Sequence, residues 1–553
     1  MSILKLCFLF AALVLVLAQA YASEENTLRV ENLTSISSIV NPATLDLAKS
    51  VKAAPERRNF ITPQAFWSPD GSKLLVRSSI GWYKGDIDFR PSNRNGIGAL
   101  YTMDADGTNL TKIVSNEINN RSTPIEFPTN NYWSPSGNKI AITVSVPRTG
   151  GFYLLASPNG DRLNALGTNF SEIISIITNL SEFSWQKDFA WSPDGTKAIF
   201  LVTDLVKKSE KMYIADADGS NIKQLASDAN ESFLGAVAWS HDGKRIAFSG
   251  KNLWIINSNG TNLRQLGACW GSVWSPDDSK VLCMSSEEVN DQFINHLYLI
   301  NVDSADKTEI IKSIEVGNPA WSPDGNSILF VSATERSNLG IFVSDSQGRN
   351  VTLIYEENNP LAVSWSPDGS KIAFTVSENG IGLYTINPDG TGKTLLTTNL
   401  SWSWTNPYAW SPTGDKIAFS SSITNGEHIF IANPDGTERV QITTGENKRY
   451  ILSGEGGSWS PDGSRLLIES SNEVFIAKLS GYDRTATIKQ GYRTANESIQ
   501  ELPGQSSPEP TLTAAPQITK TIASAIIPKA SGFEAALVIA ILSTTYLFKR
   551  RYN

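Results

Sequence analysis

The central part of the chain is a succession of short apolar runs, each bounded by residues that favour tight turns. Two turn signatures recur, "WSPDG" as in Trp67–Gly71 and "DADG" as in Asp104–Gly107. Short apolar runs between Pro, Asp, Asn and Gly are typical of β-strands. One repeated unit holds four such runs and two of these turns, so the pattern predicts an all-β chain built from four-stranded units.

The first signature recurs nine times, and its spacing sets the size of the unit. Most steps between successive tryptophans fall in the mid-forties, with a minimum of 35 and a maximum of 66 residues. A period of about 40 to 50 residues with strands and turns is typical of β-propeller blades. We predict one large β-propeller over residues 60–490 with nine repeats, and an eight-bladed ring with one displaced unit is the alternative. The copies begin at Trp67, Trp133, Trp191, Trp239, Trp274, Trp321, Trp365, Trp410 and Trp459.

A ring of blades needs a closing strand, because an open ring leaves unpaired strand edges. The N-terminal segment, residues 23–59, contains the stretch "NTLRVENLTSISSIV" from Asn26 to Val40. We expect this stretch to supply a strand that completes the last blade.

The fixed letters of the first turn have a structural explanation. Pro69 presets φ at the first central position, Asp70 can bond back to the backbone, and Gly71 takes the left-handed conformation that closes a bulged hairpin. Asp278 stands at the glycine position of the fifth copy, and aspartate is among the few other residues that adopt this conformation. A calcium loop is the alternative for "DADG", but no copy has the glutamate that closes a twelve-residue loop. Both turns are therefore predicted to be architecture.

The nine copies closely resemble the TolB-like β-propeller repeat, in which a Trp-Ser-Pro-Asp-Gly hairpin is followed by an Ile-Tyr strand and an Asp-x-Asp-Gly turn. The resemblance covers about residues 60–490. It implies a WD-repeat-like scaffold, because that family consists mainly of secreted or periplasmic propellers that bind other proteins, together with propellers attached to hydrolase domains. After residue 490 too little of this sequence remains for a hydrolase domain.

The N-terminal residues predict export. Residues 1–22 combine Lys5, the apolar run Leu6–Leu17 and the small residues of Ala20-Tyr21-Ala22. This is the pattern of a secretory signal peptide. Ten Asn-x-Ser/Thr sites are compatible with an exported glycoprotein. They lie at Asn32, Asn109, Asn120, Asn169, Asn179, Asn230, Asn259, Asn350, Asn399 and Asn496.

The C-terminal residues predict a membrane anchor. A linker rich in Pro, Ser and Thr over residues 491–530 leads to the tail, residues 531–553, in which an apolar run precedes Lys549–Arg551. Basic residues after an apolar helix stay on the cytoplasmic side, which favours a transmembrane helix with the propeller on the extracellular face. The tail resembles the sorting signals of archaeal surface proteins, with Ser531 where that family has proline.

The composition and the motifs limit the partners and the kinds of site that the chain could have. The net charge of -8 and the pI near 5.2 would repel a phosphate backbone, so nucleic acid is excluded as a partner. The three histidines have no companion at metal or triad spacing, and no Gly-x-Ser-x-Gly elbow occurs. We therefore predict no catalytic residues, no metal and no cofactor. Cys269 and Cys283 flank the fifth turn as diagonal neighbours, so a disulfide and two buried thiols are both open.

Function is predicted on one face of the propeller. The first and third turns of a four-stranded blade lie on one face, and the second turn and the link between blades lie on the other. The two signatures therefore define a turn face, and the long insertions, residues 79–98, 115–130, 167–189, 285–295 and 397–408, collect on the opposite loop face. Aromatic residues in such loops suit protein hot spots or sugar stacking. The candidate binding residues are Trp82, Tyr83, Trp185, Trp402, Trp404 and Tyr408.

These observations favour a non-catalytic cell-surface propeller that acts as a protein-interaction or adhesion scaffold. A carbohydrate-binding surface propeller is one alternative, and a secreted polysaccharide lyase or hydrolase is another. The expected partners are envelope proteins or surface glycans, and the propeller is expected to be monomeric.

Overall fold

A computed structural model describes residues 28–41, 43, 59–82, 95–115, 133–146, 150–160, 163–165, 183–184, 189–204, 209–227, 237–336, 338–357, 359–378, 380–401, 407–424, 426–453, 458–470 and 473–480. All of them belong to one compact unit, Met1–Ala495. The predicted signal peptide, linker and membrane tail lie outside the described residues. Within the described part of the chain, no helix is long and apolar enough to cross a membrane.

The described strands form antiparallel sheets that succeed one another along the chain. The strands of the first half are β1 Arg29–Ser35, β2 Asn59–Trp67, β3 Lys73–Trp82, β4 Asn95–Asp104, β5 Thr111–Ser115, β6 Ile140–Val146, β7 Gly150–Ala156, β8 Leu163–Ala165, β9 Phe183–Ser184, β10 Phe189–Trp191, β11 Lys197–Asp204, β12 Ser209–Asp216, β13 Lys223–Ser227, β14 Val237–Trp239, β15 Arg245–Ser249, β16 Leu253–Asn257 and β17 Arg264–Gly267.

The strands of the second half repeat the same arrangement. They are β18 Trp270–Trp274, β19 Lys280–Val289, β20 Gln292–Asn301, β21 Lys307–Ser313, β22 Val316–Trp321, β23 Ser327–Ala333, β24 Leu339–Asp345, β25 Thr352–Tyr355, β26 Pro360–Trp365, β27 Ile372–Glu378, β28 Gly380–Ile386, β29 Thr394–Thr397, β30 Tyr408–Trp410, β31 Ile417–Thr424, β32 Gly426–Ala432, β33 Val440–Gln441, β34 Ile451–Leu452, β35 Arg465–Ser470 and β36 Glu473–Ser480.

The prediction of an all-β propeller with four-stranded blades is confirmed. Eight sheets have four strands or more, in the order β2-β3-β4-β5 and its equivalents. The prediction of nine equivalent repeats is not supported, because the β6-β7-β8 sheet has three strands among the described residues. Trp133, which begins that copy, forms only an isolated bridge with Ile140.

The N-terminal segment supplies the closing strand of the ring. β1 pairs antiparallel with β36, so the last sheet has the order β34-β35-β36-β1. A short helix over residues 36–41 follows, and its side chains Ile36 and Val40 are fully buried against the first and last sheets. Ser37 Oγ accepts a hydrogen bond from the Val474 backbone N at 2.9 Å. The N-terminal segment thus connects the first and last sheets through strand pairing and packing.

The signature tryptophans lie between neighbouring sheets. Trp321 is 9% exposed, and its Nε1 donates to the Val273 carbonyl oxygen of the preceding sheet at 3.3 Å. Trp67 makes the same bond to Ser458 O at 3.4 Å and thereby joins the first sheet to the last. Burial of such a ring contributes about 2 to 3 kcal/mol. The fixed tryptophan is therefore explained by packing between blades.

The first turn forms as its letters predict. The Gly71 N–H donates to Ser68 O at 2.8 Å with φ of 70° at Gly71, and Asp70 Oδ1 accepts from the Ser72 N–H at 3.0 Å. Burial raises the pKa of the Asp70 carboxyl, but hydrogen bonds from the Ser68 hydroxyl and from Ser72 outweigh it, so the pKa is lowered. The aspartate is an ionised turn acceptor, and its role is structural.

Candidate functional site

Five of the six predicted binding side chains lie outside the described part of the structure. Trp82 is the last residue of β3, where its backbone pairs with Asn95, and its side chain is not among those described. The other four residues outside the described ranges are Tyr83, Trp185, Trp402 and Trp404. These five positions stay predictions.

Tyr408 requires a correction, because it is a core residue and not an exposed one. Its side chain is 7% exposed and packs between the β26–β29 and β30–β33 sheets. Its hydroxyl lies 3.0 Å from Ser364 Oγ and donates to Ala373 O at 3.1 Å. Burial raises the pKa of Tyr408. The first residue of β30 lies opposite Phe419, and that register directs its ring into the core.

One loop-face feature whose strands and turn are all described is the hairpin of β19 and β20. Residues 285–295 were expected to be an irregular insertion, but they form a continuous antiparallel ladder up to the pair Val289 and Gln292. Asn290 and Asp291 close it with φ of 52° and 61°. Two central residues with positive φ make a type I′ turn, which fits the twist of the strands it joins. We call residues 285–295 the arm.

The arm projects beyond both neighbouring sheets. The signature tryptophans pair with Ile246 in β15 and with Val281 in β19, so these two residues mark the same level. β15 ends three residues later, at Ser249, whereas β19 continues for eight, to Val289. At about 3.3 Å per residue, the five extra residues extend the arm by roughly 16 Å beyond the preceding sheet. The following sheet ends about 10 Å below the tip by the same measure.

The tip of the arm exposes apolar side chains. Phe293 is 64% exposed and Val289 is 41% exposed. The adjacent acidic residues are Glu287, Glu288 and Asp291, and residues 285–295 contain no lysine or arginine. A large exposed aromatic side chain on a rigid hairpin is typical of a binding contact.

Trp270 is a second exposed aromatic residue of the same sheet. It is 44% exposed at the start of β18, where it lies opposite Met284. Its position at the link between blades places it on the loop face with the arm.

An ionic cluster supports the base of the arm. His296, which is buried, lies between two carboxylates, with Nδ1 2.9 Å from Glu309 Oε2 and Nε2 3.3 Å from Glu287 Oε1. Lys312 Nζ lies 2.7 Å from the same Glu287 oxygen, and this contact lowers the pKa of Glu287. The His296 ring stacks on Tyr298 at 5.5 Å between centroids. Both imidazole nitrogens have partners, so the cluster ties β19, β20 and β21 together.

Among the described residues, no group of three or more His, Cys, Asp or Glu side chains is placed to hold a metal ion.

A disulfide lies at the foot of the arm. Cys269 and Cys283 are both 1% exposed and are bonded, with their Cα atoms 5.8 Å apart. Of the two alternatives left open by the sequence, the structure has the disulfide. The disulfide links Cys269, which precedes β18, to Cys283 in β19, the strand that continues into the arm.

On the turn face, two departures from the repeat lie on adjacent turns. A Cβ added at Gly71 would lie 3.2 Å from the Pro461 ring of the preceding turn, so glycine lets successive turns approach closely. In the fifth turn, Asp278 occupies the glycine position, with φ of 59°. In the fourth turn, His241 occupies the proline position that faces it. The Asp278 carboxylate accepts from the backbone N of His241 at 2.8 Å and lies 2.7 Å from His241 Nδ1. The two departures from the repeat therefore contact each other.

Sequence reasoning missed the arm as a binding element, although one local signal was present. Asn290-Asp291 is a pair of turn-forming residues that tolerate positive φ, which is compatible with a two-residue hairpin turn. The sequence shows that Trp270 lies outside the repeat motif, but its position beside a variable connection does not indicate whether its side chain is exposed.

No protein-family model matches the sequence, and no curated protein matches it. Among solved structures, the chain is similar to TolB from Acinetobacter baumannii, with 16% identity, coverage of 56% of this chain and 81% of that chain, and a TM-score of 0.28. It is also similar to oligogalacturonate lyase from Vibrio parahaemolyticus, with 11% identity, coverage of 77% and 98%, and a TM-score of 0.37. A third neighbour is dipeptidyl peptidase 4 from Porphyromonas gingivalis, with 12% identity, coverage of 63% and 58%, and a TM-score of 0.42. At these identities and TM-scores, none of the similarities bears on activity or ligand.

Proposed function

We propose that the chain is a non-catalytic, exported β-propeller that is held at the membrane by its C-terminal segment and binds a protein of the cell envelope through its loop face. The observation that supports this is the arm, which presents Phe293 at 64% exposure. A regular hairpin, an ionic cluster and a disulfide all restrict its motion, so little conformational entropy is lost when it docks. The neighbouring sheets end below its tip and leave it accessible.

Binding to envelope vesicles tests this function. Purified propeller is labelled and incubated with vesicles from the cells that produce it, either untreated, treated with protease, or treated with periodate to oxidise glycans. A protein partner predicts that protease abolishes binding and that periodate does not. Binding that periodate alone abolishes would support the carbohydrate alternative and contradict the proposal.

Point variants then test the face. Phe293→Ala should weaken vesicle binding by roughly tenfold, or about 1.4 kcal/mol, as expected for an interface anchor. Leu263→Ala is the matched control, because Leu263 is 49% exposed and follows a turn on the opposite face. Equal binding by the Phe293 variant and the wild type would remove the arm from the interface.

The exposed ring of Trp270 is the observation that favours the carbohydrate alternative, because an accessible indole face suits stacking on a sugar. In that case Trp270→Ala should weaken binding more than Phe293→Ala does. The lyase or hydrolase alternative is tested by incubating the purified propeller with polyuronates and assaying bond cleavage.

A further inference from the structure

The Asn-x-Ser/Thr sites are not used by the proposed function, and the structure separates them by what each side chain does. Five of them have described positions, at Asn32, Asn109, Asn259, Asn350 and Asn399. An Asn-x-Ser/Thr acceptor is expected at the surface. We therefore compare the sites by two criteria, a side-chain amide nitrogen that donates no hydrogen bond and an exposed hydroxyl residue two positions later.

Two of the five belong to the turn architecture. Asn109 and Asn350 have φ of 55° and 52°, and their Nδ2 atoms donate to turn aspartates at 2.6 and 2.8 Å. Asn221, which is in no such site, makes the same bond at 2.7 Å. The repeat therefore explains these asparagines, and their amides are occupied.

Two more sites fail one of the criteria. Asn32 Nδ2 donates to the hydroxyl of its own Thr34 at 3.1 Å, on the closing strand β1. Asn399 is exposed, but the hydroxyl residue of its site, Ser401, is only 4% exposed.

Asn259 meets both criteria. Its Oδ1 accepts from the Thr261 N–H at 3.0 Å and from the Thr261 hydroxyl at 2.6 Å. That hydroxyl also accepts from Asn257 Nδ2 at 3.0 Å, and Asn259 and Thr261 are both exposed. Among the described contacts, Asn259 Nδ2 donates no hydrogen bond. In four other turns an aspartate makes the bonds that Asn259 Oδ1 makes here, so the fold does not need the amide nitrogen. These aspartates are Asp106, Asp218, Asp389 and Asp435.

We propose that Asn259 is an N-glycosylation site on the turn face, and that the other four described sites are unmodified. The donor class is a lipid-linked glycosyl diphosphate. The Asn259 Nδ2 nitrogen forms a bond to the anomeric carbon, the bond from that carbon to the diphosphate oxygen breaks, the lipid diphosphate leaves with the electron pair, and one amide proton is released. This inference rests on the export that is part of the proposed function, and it is independent of the binding face.

The test is glycopeptide mass spectrometry on the full chain purified from the surface of the cells that produce it. The peptide that contains Asn259 should carry a sugar mass, and the peptides that contain Asn32, Asn109, Asn350 and Asn399 should not. Asn259→Asp is the matched variant, because it keeps the oxygen that accepts the hydrogen bonds of the turn and removes the amide nitrogen to which the glycan would be attached. It should lose the sugar mass and keep the melting temperature of the deglycosylated wild type.

Three outcomes would overturn the assignment. An unmodified Asn259 in a chain that external protease reaches overturns this inference alone, while vesicle binding still tests the proposed function. Sugar on Asn109 or Asn350 at equal occupancy shows that free amides do not select the site. A chain that protease cannot reach on intact cells overturns both the inference and the export on which it rests.

Discussion

Two residues that depart from the repeat contact each other, and we expect them to compensate each other. The variants His241→Pro and Asp278→Gly restore the residues that the other repeats have at these positions. The Asp278 side chain is 8% exposed, and its carboxylate accepts from the backbone N atoms of His241 and Asp242, both at 2.8 Å. His241 Nδ1 is its third partner, at 2.7 Å. Because proline has no N–H, the first of these bonds exists only when another residue stands at position 241.

The size of the effect follows from the groups that each single change leaves unpaired. Asp278→Gly removes an acceptor from two backbone N–H groups, at about 1 to 3 kcal/mol each when buried, and relief of the positive φ offsets about 1 kcal/mol. His241→Pro takes two of three donors from a buried carboxylate. Each single variant should lose about 2 kcal/mol. The double variant should be within about 1 kcal/mol of the wild type, whereas two independent losses would sum to about 4 kcal/mol, so the coupling energy should be about 3 to 5 kcal/mol.

The pH dependence of this contact has a definite sign. The hydrogen bond to Asp278 raises the pKa of His241, partial burial opposes it, and the charges of Asp278 and Asp242 add to the rise. The unfolded value is about 6.5. A raised folded pKa means that the stabilisation is complete below about pH 6.5 and is lost as the pH rises through the folded pKa. Solvent screens the contribution, because the His241 side chain is 42% exposed.

Urea unfolding of the wild type, both single variants and the double variant at pH 5.5 and pH 8.5 provides the measurement. The free energy of unfolding of the wild type, relative to that of the double variant, should decrease from pH 5.5 to pH 8.5. Additive losses in the single variants would refute the compensation. A difference that does not change with pH would refute the role of the protonated imidazole.

Four further changes test the packing and the ring closure. Trp321→Ala should destabilise by about 3 to 5 kcal/mol in urea unfolding, since the ring is buried between blades. Tyr408→Phe should cost about 1 to 2 kcal/mol, because Ala373 O loses its donor, and an unchanged stability would contradict the hydrogen bond. Reduction of the Cys269–Cys283 bond, at a sequence separation of 14, should lower stability by about 3 kcal/mol, and thiol labelling without reductant should be negative. Deleting residues 1–35 should expose the edge of β36 and produce oligomers in size-exclusion chromatography, whereas a monomeric elution would show that β1 is dispensable.

The blade architecture could be predicted because its determinants are local. A turn such as Ser68–Gly71 is fixed by its own letters, through a preset φ at Pro69 and a left-handed glycine, and it names the two strands that it joins. The number of complete blades depends instead on pairing between strands. The copy at Trp133 has its turn, but among the described residues its sheet has three strands, and Trp133 forms an isolated bridge with Ile140. A count of turns therefore does not give the number of four-stranded blades among the described residues.

The binding surface was harder to predict because it depends on side-chain direction. Tyr408 follows an insertion, and this position suggested a surface role. In a strand, however, a shift of one residue decides whether a side chain points into the core or away from it. Phe293 was overlooked because most residues of 285–295 are polar or acidic. Its exposure follows from the lengths of the strands on either side, which are a property of three sheets and not of one segment.

The two faces of this propeller differ in how freely their residues can change. On the turn face, residues such as Asp70 accept hydrogen bonds within their own turn, and Gly71 lies against a neighbouring turn. The departure at Asp278 accordingly occurs together with a contacting departure at His241. On the loop face, the β19–β20 hairpin can lengthen by adding residues that pair only with one another, and the spacing of the sheets is unaffected. Length and side chains can therefore vary on the loop face without loss of the ring. A recognition element is expected where variation is tolerated and a rigid base is available, and the arm on its disulfide-linked sheet meets both conditions.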